Sequence, residues 1–210
     1  MATRREIDKE TRRNQILEKA QNLFARKGYL STSMAEIADS CEIAVGSLYS
    51  FFTSKEEILS TIFNYHIENL LQLIDQIAKR QDLSPRQKIE SSLEELVRIY
   101  TDNQDFFRIY VAEARGVEWG VRSEVGEYIY IGSERYLKIL TGLFREAIAT
   151  GAIDPDLDPE YLSLLLRSFV HSTVSHLLYG NRNVTMEDLL TVAKRILFGG
   201  IELKDNNKKI

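Results

Sequence analysis

Apolar residues recur at helical spacing along almost the whole sequence. The first stripe falls on one face of a helix over residues 11–27 and consists of Ile16, Leu17, Ala20, Leu23 and Phe24. Gly28 is expected to end this helix in a left-handed cap. The run from Tyr128 to Ile131 is the only β-like segment, and it is short and lies inside a helical pattern. The pattern therefore predicts an all-α protein.

Two short helices follow the first one. Ser33 and Glu36 have capping-box spacing, which places the start of the second helix at Met34. A third helix is expected from about Ala44, after a tight turn. Two short consecutive helices joined in this way are typical of a helix-turn-helix, whose second helix enters the DNA major groove.

Six further helices are predicted from capping residues, Pro and Gly positions and apolar spacing. They are expected over about 54–79, 84–101, 105–114, 122–150, 158–179 and 185–200. Gly116 and Gly120 predict irregular backbone around Trp119. Residues 151–159, with Pro155 and Pro159, form the clearest linker. The fold class is therefore all-α, with about nine helices.

The total charge argues against a nucleic-acid partner, whereas its distribution argues for one. Lys and Arg number 27 and Asp and Glu number 31, so the formal net charge is −4. Residues 1–30 nevertheless contain eight basic and four acidic side chains. A basic end on an acidic body is what a local anion-binding module requires. On charge alone, a solvated helix face of mixed charge remains the alternative.

The rest of the composition is that of an ordinary globular protein, with 44% hydrophobic and 28% charged residues. Cys41 is the single cysteine, so an intramolecular disulfide is excluded and a reducing compartment is favoured. The charged segment 1–11 does not resemble a signal peptide. No apolar stretch reaches the roughly 18 residues of a membrane span. We therefore expect a cytoplasmic protein that is not embedded in a membrane.

Two stretches at fixed spacing carry a more specific signal. They are Gly28-Tyr29-x-x-Thr32-Ser33-Met34-x-x-Ile37-Ala38 and Gly46-Ser47-Leu48-Tyr49-x-Phe51-Phe52-x-Ser54-Lys55-Glu56-x-x-Leu59. Together they resemble the DNA-binding domain of TetR-family transcriptional repressors, over roughly residues 11–60. The resemblance implies a homodimer that binds a palindromic operator of double-stranded DNA and leaves it when a small-molecule effector enters the larger domain. A small helical bundle without a DNA role is the alternative.

The resemblance also implies roles for individual residues and a domain division. Thr32 and Ser33 would touch phosphate or cap the second helix, Gly46 and Ser47 would face bases, and Tyr49 and Lys55 would hold phosphate. Ala44, Val45 and Ser50 share the outward side of the third helix and complete the predicted DNA-binding set. We expect a DNA-binding domain over 1–55, a ligand-binding and dimerisation domain over 56–204, and a frayed tail over 205–210.

Three positions depart from the family pattern. Glu42 stands in the turn where Gly is usual, and a non-Gly residue in a left-handed conformation costs about 1–2 kcal/mol. Ala44 replaces the usual Ser at the N-cap, which removes a capping oxygen worth about 1 kcal/mol. Val45 offers only an apolar contact, such as one with a thymine methyl. These changes bear on operator sequence and affinity.

A ligand chamber is predicted among amphipathic and aromatic residues of the larger domain, because effector pockets are apolar with a few placed polar groups. The candidates are Phe63, His66, Leu70, Tyr100, Phe107, Tyr110, Arg115, Trp119, Tyr128, Arg167 and His171. Leu96, Phe106, Glu113 and Tyr136 belong to the same candidate chamber. Ordinary core packing is the alternative for each aromatic residue. The step Glu113-Ala114-Arg115, followed by Glu118 and Arg122, resembles a TetR subgroup that senses fatty acyl thioesters.

The last two helices are predicted to form the dimer interface, because the helix over 158–179 is apolar on more than one face. The candidate interface residues are Leu162, Leu165, Phe169, Val174, Leu177, Leu190 and Leu197. The central helix of a monomer core is the alternative. Dimerisation is also favoured because one short recognition helix rarely provides enough DNA contacts.

Catalysis is poorly supported by the sequence. The three histidines, at 66, 171 and 176, and one Cys do not have metal-ligand spacing. A Gly-rich phosphate loop and a nucleophile elbow are absent. We therefore expect a protein that is not an enzyme and uses no cofactor or metal. A transcriptional activator, a nucleoid-type DNA binder and a ligand carrier remain alternatives to the repressor.

Overall fold

The structure is a computed structural model that describes residues 3–118, 124–179 and 185–199, and these ranges contain nine helices and no strand. The helices are α1 (Arg4–Lys27), α2 (Met34–Ser40), α3 (Val45–Tyr49), α4 (Lys55–Ala78), α5 (Pro85–Asp102), α6 (Gln104–Glu118), α7 (Glu124–Ala149), α8 (Pro159–Tyr179) and α9 (Met186–Gly199). The all-α prediction is confirmed. None of the described helices has the length and apolar character needed to cross a bilayer. The tail predicted over 205–210 lies outside these ranges.

The first helix begins at Arg4 rather than at residue 11, where the apolar stripe predicted it. Residues 3–11 are all exposed, so apolar periodicity could not reveal this part. A capping box stabilises it instead: the Thr3 N–H donates to Glu6 Oε2 (2.7 Å) and the Glu6 N–H donates to Thr3 Oγ1 (3.3 Å).

The first helix ends at Gly28, as the sequence predicts. The Gly28 N–H donates to the Phe24 carbonyl. Its φ of 86° is positive, but its ψ of 151° is extended, so the predicted left-handed helical cap is wrong in detail. That combination of angles is open essentially to glycine alone.

The second helix packs on α1 and the third packs on α2, around a small apolar core. Ser33 caps α2 in the predicted capping box with Glu36. The core side chains from these elements are less than 3% exposed and comprise Ile16, Ala20, Phe24, Ile37, Ala38, Leu48 and Phe52. The predicted helix-turn-helix arrangement is therefore present, with α1 as its third helix.

The turn between α2 and α3 contains the strained residue that the sequence predicted. Glu42 has a φ of 54° and is the one non-Gly residue with positive φ in the described chain. The Arg12 guanidinium donates to the Cys41 carbonyl at 3.2 Å. A cation at the carboxyl end of α2 satisfies a carbonyl that the helix leaves unpaired. Arg12 therefore stabilises the turn directly beside Glu42.

The chain divides into two compact units. The first unit comprises Met1–Leu73 and Tyr100–Tyr136, and the second comprises Ile74–Ile99 and Leu137–Ile210. The divisions fall inside α4 and α7 and near the end of α5. The functional boundary predicted after residue 55 stays a prediction.

In the first unit, α4 and α7 approach closely. A Cβ built on Gly132 would lie 2.6 Å from Ile67 Cγ2, so only glycine fits there without a shift. Arg135 and Glu68 form an ion pair between the same two helices. The α6 helix continues through Gly116 to Glu118, and the irregular backbone predicted around Trp119 lies outside the described residues. A single glycine costs a helix only about 1 kcal/mol, which its neighbours can offset.

The second unit has its own apolar core. Its largest fully buried side chains are Ile74, Ile89, Leu140, Leu143 and Phe144. The Lys88 side chain, 4% exposed, donates to both carboxylate oxygens of Glu146 at 2.9 and 3.0 Å. The ammonium is therefore paired where it leaves water, as a buried charge requires.

Candidate nucleic-acid interface and effector region

The outward side of α3 carries the residues that the sequence predicted to face DNA. All six of these residues are exposed: Ala44, Val45, Gly46, Ser47, Tyr49 and Ser50. Leu48 lies between them in sequence, is fully buried and holds the helix on the core. The helix thus presents a small, nearly uncharged surface of the width that a major groove admits.

Gly46 lies at the middle of this surface. A Cβ built on it meets no atom within 4 Å, so packing inside the protein does not require glycine there. Ser50 Oγ donates to the Ser47 carbonyl at 2.6 Å, so this hydroxyl keeps only its acceptor capacity for an outside partner. Tyr49 is 51% exposed and Val45 is 38% exposed.

Thr32 is a correction to the predicted set. It is 2% exposed and its hydroxyl donates to the Gly28 carbonyl at 2.9 Å. A side chain that is buried and already hydrogen-bonded cannot reach a phosphate, so its expected DNA contact is wrong and its role is structural. Ser33 is exposed and caps α2, which is one of the two roles expected for it.

Lys55 makes contacts that sequence patterns did not reveal. Its ammonium donates to the carbonyls of Tyr29 and Thr32, both at 2.7 Å. It also lies 4.3 Å from the centre of the Tyr29 ring. Lys55 therefore ties the start of α4 to the segment between α1 and α2, and its predicted phosphate contact stays a prediction.

Two other basic residues of this domain are also engaged within it. The Arg13 guanidinium lies 4.5 Å from the centre of the Phe52 ring. Lys27 pairs with Glu36 at 2.5 Å, and this contact, together with hydrogen bonds from Ser33, lowers the pKa of Glu36 to about 2. Part of the positive charge noted in the sequence therefore stabilises the domain.

Six effector candidates of the first unit form an aromatic cluster, which we define as Phe63, His66, Tyr100, Phe106, Phe107 and Tyr110. Phe106 is at its centre, with ring-centre distances of 5.3 Å to Phe63 and 5.4 Å to Phe107. The His66 ring stacks on Phe106 at 4.1 Å. Tyr100 contacts Phe107 at 5.3 Å. Five of the predicted ligand-binding residues thus lie in one continuous cluster.

Polar groups are partly buried in this region. Burial lowers the pKa of His66 to about 4, and its Nε2 lies 2.8 Å from Gln21 Oε1 on α1. Burial raises the pKa of the Glu113 carboxyl. Tyr136 is 8% exposed, and burial raises the pKa of its phenol.

The remaining ligand candidates are not placed in the cluster. Trp119 lies outside the described residues, as does the side chain of Arg115. Tyr128 is 42% exposed on α7, and Leu70 is half-buried on α4. Arg167 and His171 lie on α8 in the second unit. Their predicted ligand contacts stay predictions.

The predicted dimer residues differ in exposure. Leu165 is 65% exposed, whereas Val174 is 4% exposed and packs inside its own protomer, so its predicted interface role is wrong. Phe169 and Leu190 line a narrow apolar cleft with Leu93 of α5. Leu162, Leu177 and Leu197 are half-buried.

Other apolar residues of α8 and α9 are more exposed than most of the predicted set. They are Tyr161, Leu164, Val192 and Ile196, which are 69%, 39%, 45% and 44% exposed. In α8, apolar spacing could not separate these residues from the core residues, because that helix is apolar on more than one side.

Comparison with known proteins identifies the domain formed by α1–α3. Residues 16–62 match the family described as "Bacterial regulatory proteins, tetR family". A transcriptional regulator of the TetR/AcrR family from Thermobifida fusca is 26% identical, with a TM-score of 0.72 over 92% of this chain and 100% of its own. Residues 16–62 of the chain therefore belong to this family. Its family and relatives are transcriptional regulators, not enzymes.

Two further similarities concern the rest of the chain as well. The uncharacterized HTH-type regulator YuxN of Bacillus subtilis is 38% identical over 98 residues, which span 47% of this chain and 33% of that protein. The regulator FadR of Bacillus subtilis, solved in complex with stearoyl-CoA, is 21% identical over 90% of this chain and 99% of its own, with a TM-score of 0.77. The latter similarity shows a shared fold.

Proposed function

We propose that this TetR-family chain is a repressor that binds a palindromic operator as a homodimer and releases it when a small hydrophobic effector binds. The observation that carries this proposal is the exposed side of α3, which projects from a core formed by α1 and α2. Gly46 and Ser47 would approach the base edges, and Tyr49 would donate to phosphate. Two such helices about 34–36 Å apart would fit successive major grooves of one operator.

The homodimer part rests on α8 and α9. Tyr161, Leu165 and Ile196 expose large apolar surfaces that a second copy would remove from water. Leu165→Glu is expected to convert the dimer into a monomer, measured by light scattering after gel filtration. Val174→Ala is the matched control on the same helix, because Val174 is buried within the protomer. A monomeric wild type would refute this part.

The effector part rests on the aromatic cluster and its connection to α1. His66 on α4 contacts Gln21 of α1, and Asn22 of α1 donates to Asp105 of α6 at 3.2 Å. A ligand that displaces α4 or α6 would therefore act on α1, which belongs to the same small domain as the DNA-facing helix α3. Such a ligand lowers operator affinity if it binds more tightly to a state whose two α3 helices have a different spacing than to the DNA-binding state.

We propose fatty acyl thioesters as the effector class. FadR of similar fold was solved in complex with stearoyl-CoA, and the aromatic cluster of this chain would supply apolar side chains to pack against an acyl chain. Phe63, His66, Leu70, Tyr100, Phe107, Tyr110, Arg115, Trp119, Tyr128, Arg167 and His171 remain the candidate contacts.

Selection of bound sequences from a random DNA pool tests the DNA part of the proposal. A two-fold palindrome is the expected result, and absence of enrichment would favour a ligand carrier. Palmitoyl-CoA is then expected to release the selected DNA in a fluorescence anisotropy titration. Binding of palmitoyl-CoA without release of DNA would refute the effector mechanism and favour an activator or a nucleoid-type protein.

A further inference from the structure

Tyr136 has a buried hydroxyl group that lacks a hydrogen-bond partner among the described residues. The residue is 8% exposed and lies on α7 in the first unit. Buried side-chain hydroxyls are nearly always hydrogen-bonded, because losing water without a replacement partner is unfavourable. An unpaired hydroxyl in this position therefore requires an explanation beyond packing.

The surroundings of the hydroxyl are aromatic. Tyr110, which acts electrostatically on the Tyr136 phenol, contacts Phe63, Phe106 and Phe107 with ring-centre distances of 6.4, 6.1 and 6.2 Å. Burial is the larger of the two effects that raise the pKa of Tyr136. The group is therefore a neutral O–H donor at physiological pH, beside the aromatic cluster.

Two ionisable side chains of the first unit, those of His66 and Glu113, do not attract an anion. The Arg108 cation, by contrast, acts electrostatically on Tyr100, at the other side of the cluster from His66 in sequence. With a pKa of about 4, His66 is uncharged at pH 7 and does not attract an anion. Glu113, half-buried on α6, would repel an anion whenever it is ionised. A carboxylate or phosphate would therefore be poorly stabilised by these two side chains, whereas a neutral carbonyl oxygen would accept a hydrogen bond from the Tyr136 hydroxyl without burying a charge.

We propose that the Tyr136 hydroxyl donates a hydrogen bond to a neutral carbonyl oxygen of the effector, an ester, thioester, amide or ketone on a mainly apolar molecule. This inference rests on the proposed effector function and adds the chemical group that the site selects. No described residue pairs with this hydroxyl, and the carbonyl of the bound effector would supply its partner.

Tyr136→Phe tests the ligand-free state first. Removing an unpaired buried hydroxyl is expected to raise the melting temperature of the ligand-free protein by about 2–4 °C. Tyr130→Phe is the matched control, because Tyr130 lies on the same helix and is 59% exposed. This control is expected to leave the melting temperature unchanged. An equal or lower melting temperature for Tyr136→Phe would show that the hydroxyl is already satisfied, and would overturn the proposal.

Paired probes test the carbonyl. Wild-type protein is expected to bind palmitoyl-CoA about three- to tenfold more tightly than S-hexadecyl-CoA, which has no carbonyl, and Tyr136→Phe is expected to abolish that preference. Methyl decanoate and decyl methyl ether form a second pair without coenzyme A. If only the second pair shows the Tyr136-dependent preference, the inference holds and the acyl-CoA proposal fails. If neither pair shows it, the inference is overturned.

Discussion

The Gly46→Ala substitution is expected to change operator affinity and folding stability in opposite directions. A Cβ at this position meets no atom within 4 Å in the protein, and α3 is helical there. Alanine is better than glycine in a helix by about 0.5–1 kcal/mol, so the folded protein should become more stable by that amount. On the operator, the added methyl group would occupy space that we assign to base edges.

The effect on DNA binding follows from packing. Overfilling a well-packed contact typically costs about 1–3 kcal/mol, and a dimer meets the added methyl group twice. Even at the lower limit, a total of about 2 kcal/mol raises the operator Kd roughly 30-fold. Urea unfolding measures the first effect, and fluorescence anisotropy with the selected operator at one fixed salt concentration measures the second.

Gly142→Ala is the matched control for this experiment. Gly142 lies inside α7, its added Cβ also meets no atom within 4 Å, and it belongs to the second unit. The control should gain similar stability while binding the operator as the wild type does. If Gly46→Ala binds the operator as tightly as the wild type, the proposed close approach of α3 to the bases is wrong.

Four further substitutions test other parts of the structure. Lys55→Ala should destabilise the protein in urea by about 1–3 kcal/mol, because two carbonyls lose a charged donor; unchanged stability would refute this role. Glu42→Gly should raise the free energy of unfolding by up to about 1 kcal/mol, because glycine relieves the strain of a φ of 54°. It should also strengthen operator binding, because it removes an acid near phosphate. A less stable variant would contradict the strain argument. Gly132→Ala should destabilise by about 1–3 kcal/mol through the clash with Ile67, and a neutral melting curve would show that the helices can separate. The pKa of His66 is lowered from 6.5 to about 4, so the stability that its neutral form contributes is complete above pH 6.5 and is lost as the pH falls towards 4. His66→Gln should therefore lessen the loss of stability between pH 7 and pH 5, measured by urea unfolding. Equal losses in the variant and the wild type would refute the assignment.

Several features of the DNA-binding domain could be predicted from the sequence because they depend on neighbours within one helical turn. The capping box of Ser33 and Glu36 is such a feature, as is the alternation of buried Leu48 with exposed Gly46 and Tyr49. The left-handed conformation of Glu42 was implied by the family resemblance, because glycine is usual at this position of the turn. Local spacing is sufficient in these cases, since both partners lie close in sequence.

The sequence was a poorer guide to the other residues of the same domain. Thr32 was expected at phosphate, yet the segment between α1 and α2 buries its side chain and places its carbonyl within reach of Lys55. No pattern in the sequence indicated that the Arg12 guanidinium would donate a hydrogen bond to the carbonyl of Cys41. These contacts join residues 23 to 29 positions apart, so they exist only once the helices have packed.

By itself, the sequence determined that the chain is all helical, where most helices begin and end, and which side of α3 faces outward. Only the tertiary structure decided which apolar residues of α8 and α9 remain exposed, that α7 approaches α4 at Gly132, and that the hydroxyl of Tyr136 is buried without a partner. The physical reason is the separation along the chain between the residues that interact. Helix formation and capping depend on interactions within about four residues, whereas burial and hydrogen-bond satisfaction depend on which helix surfaces meet.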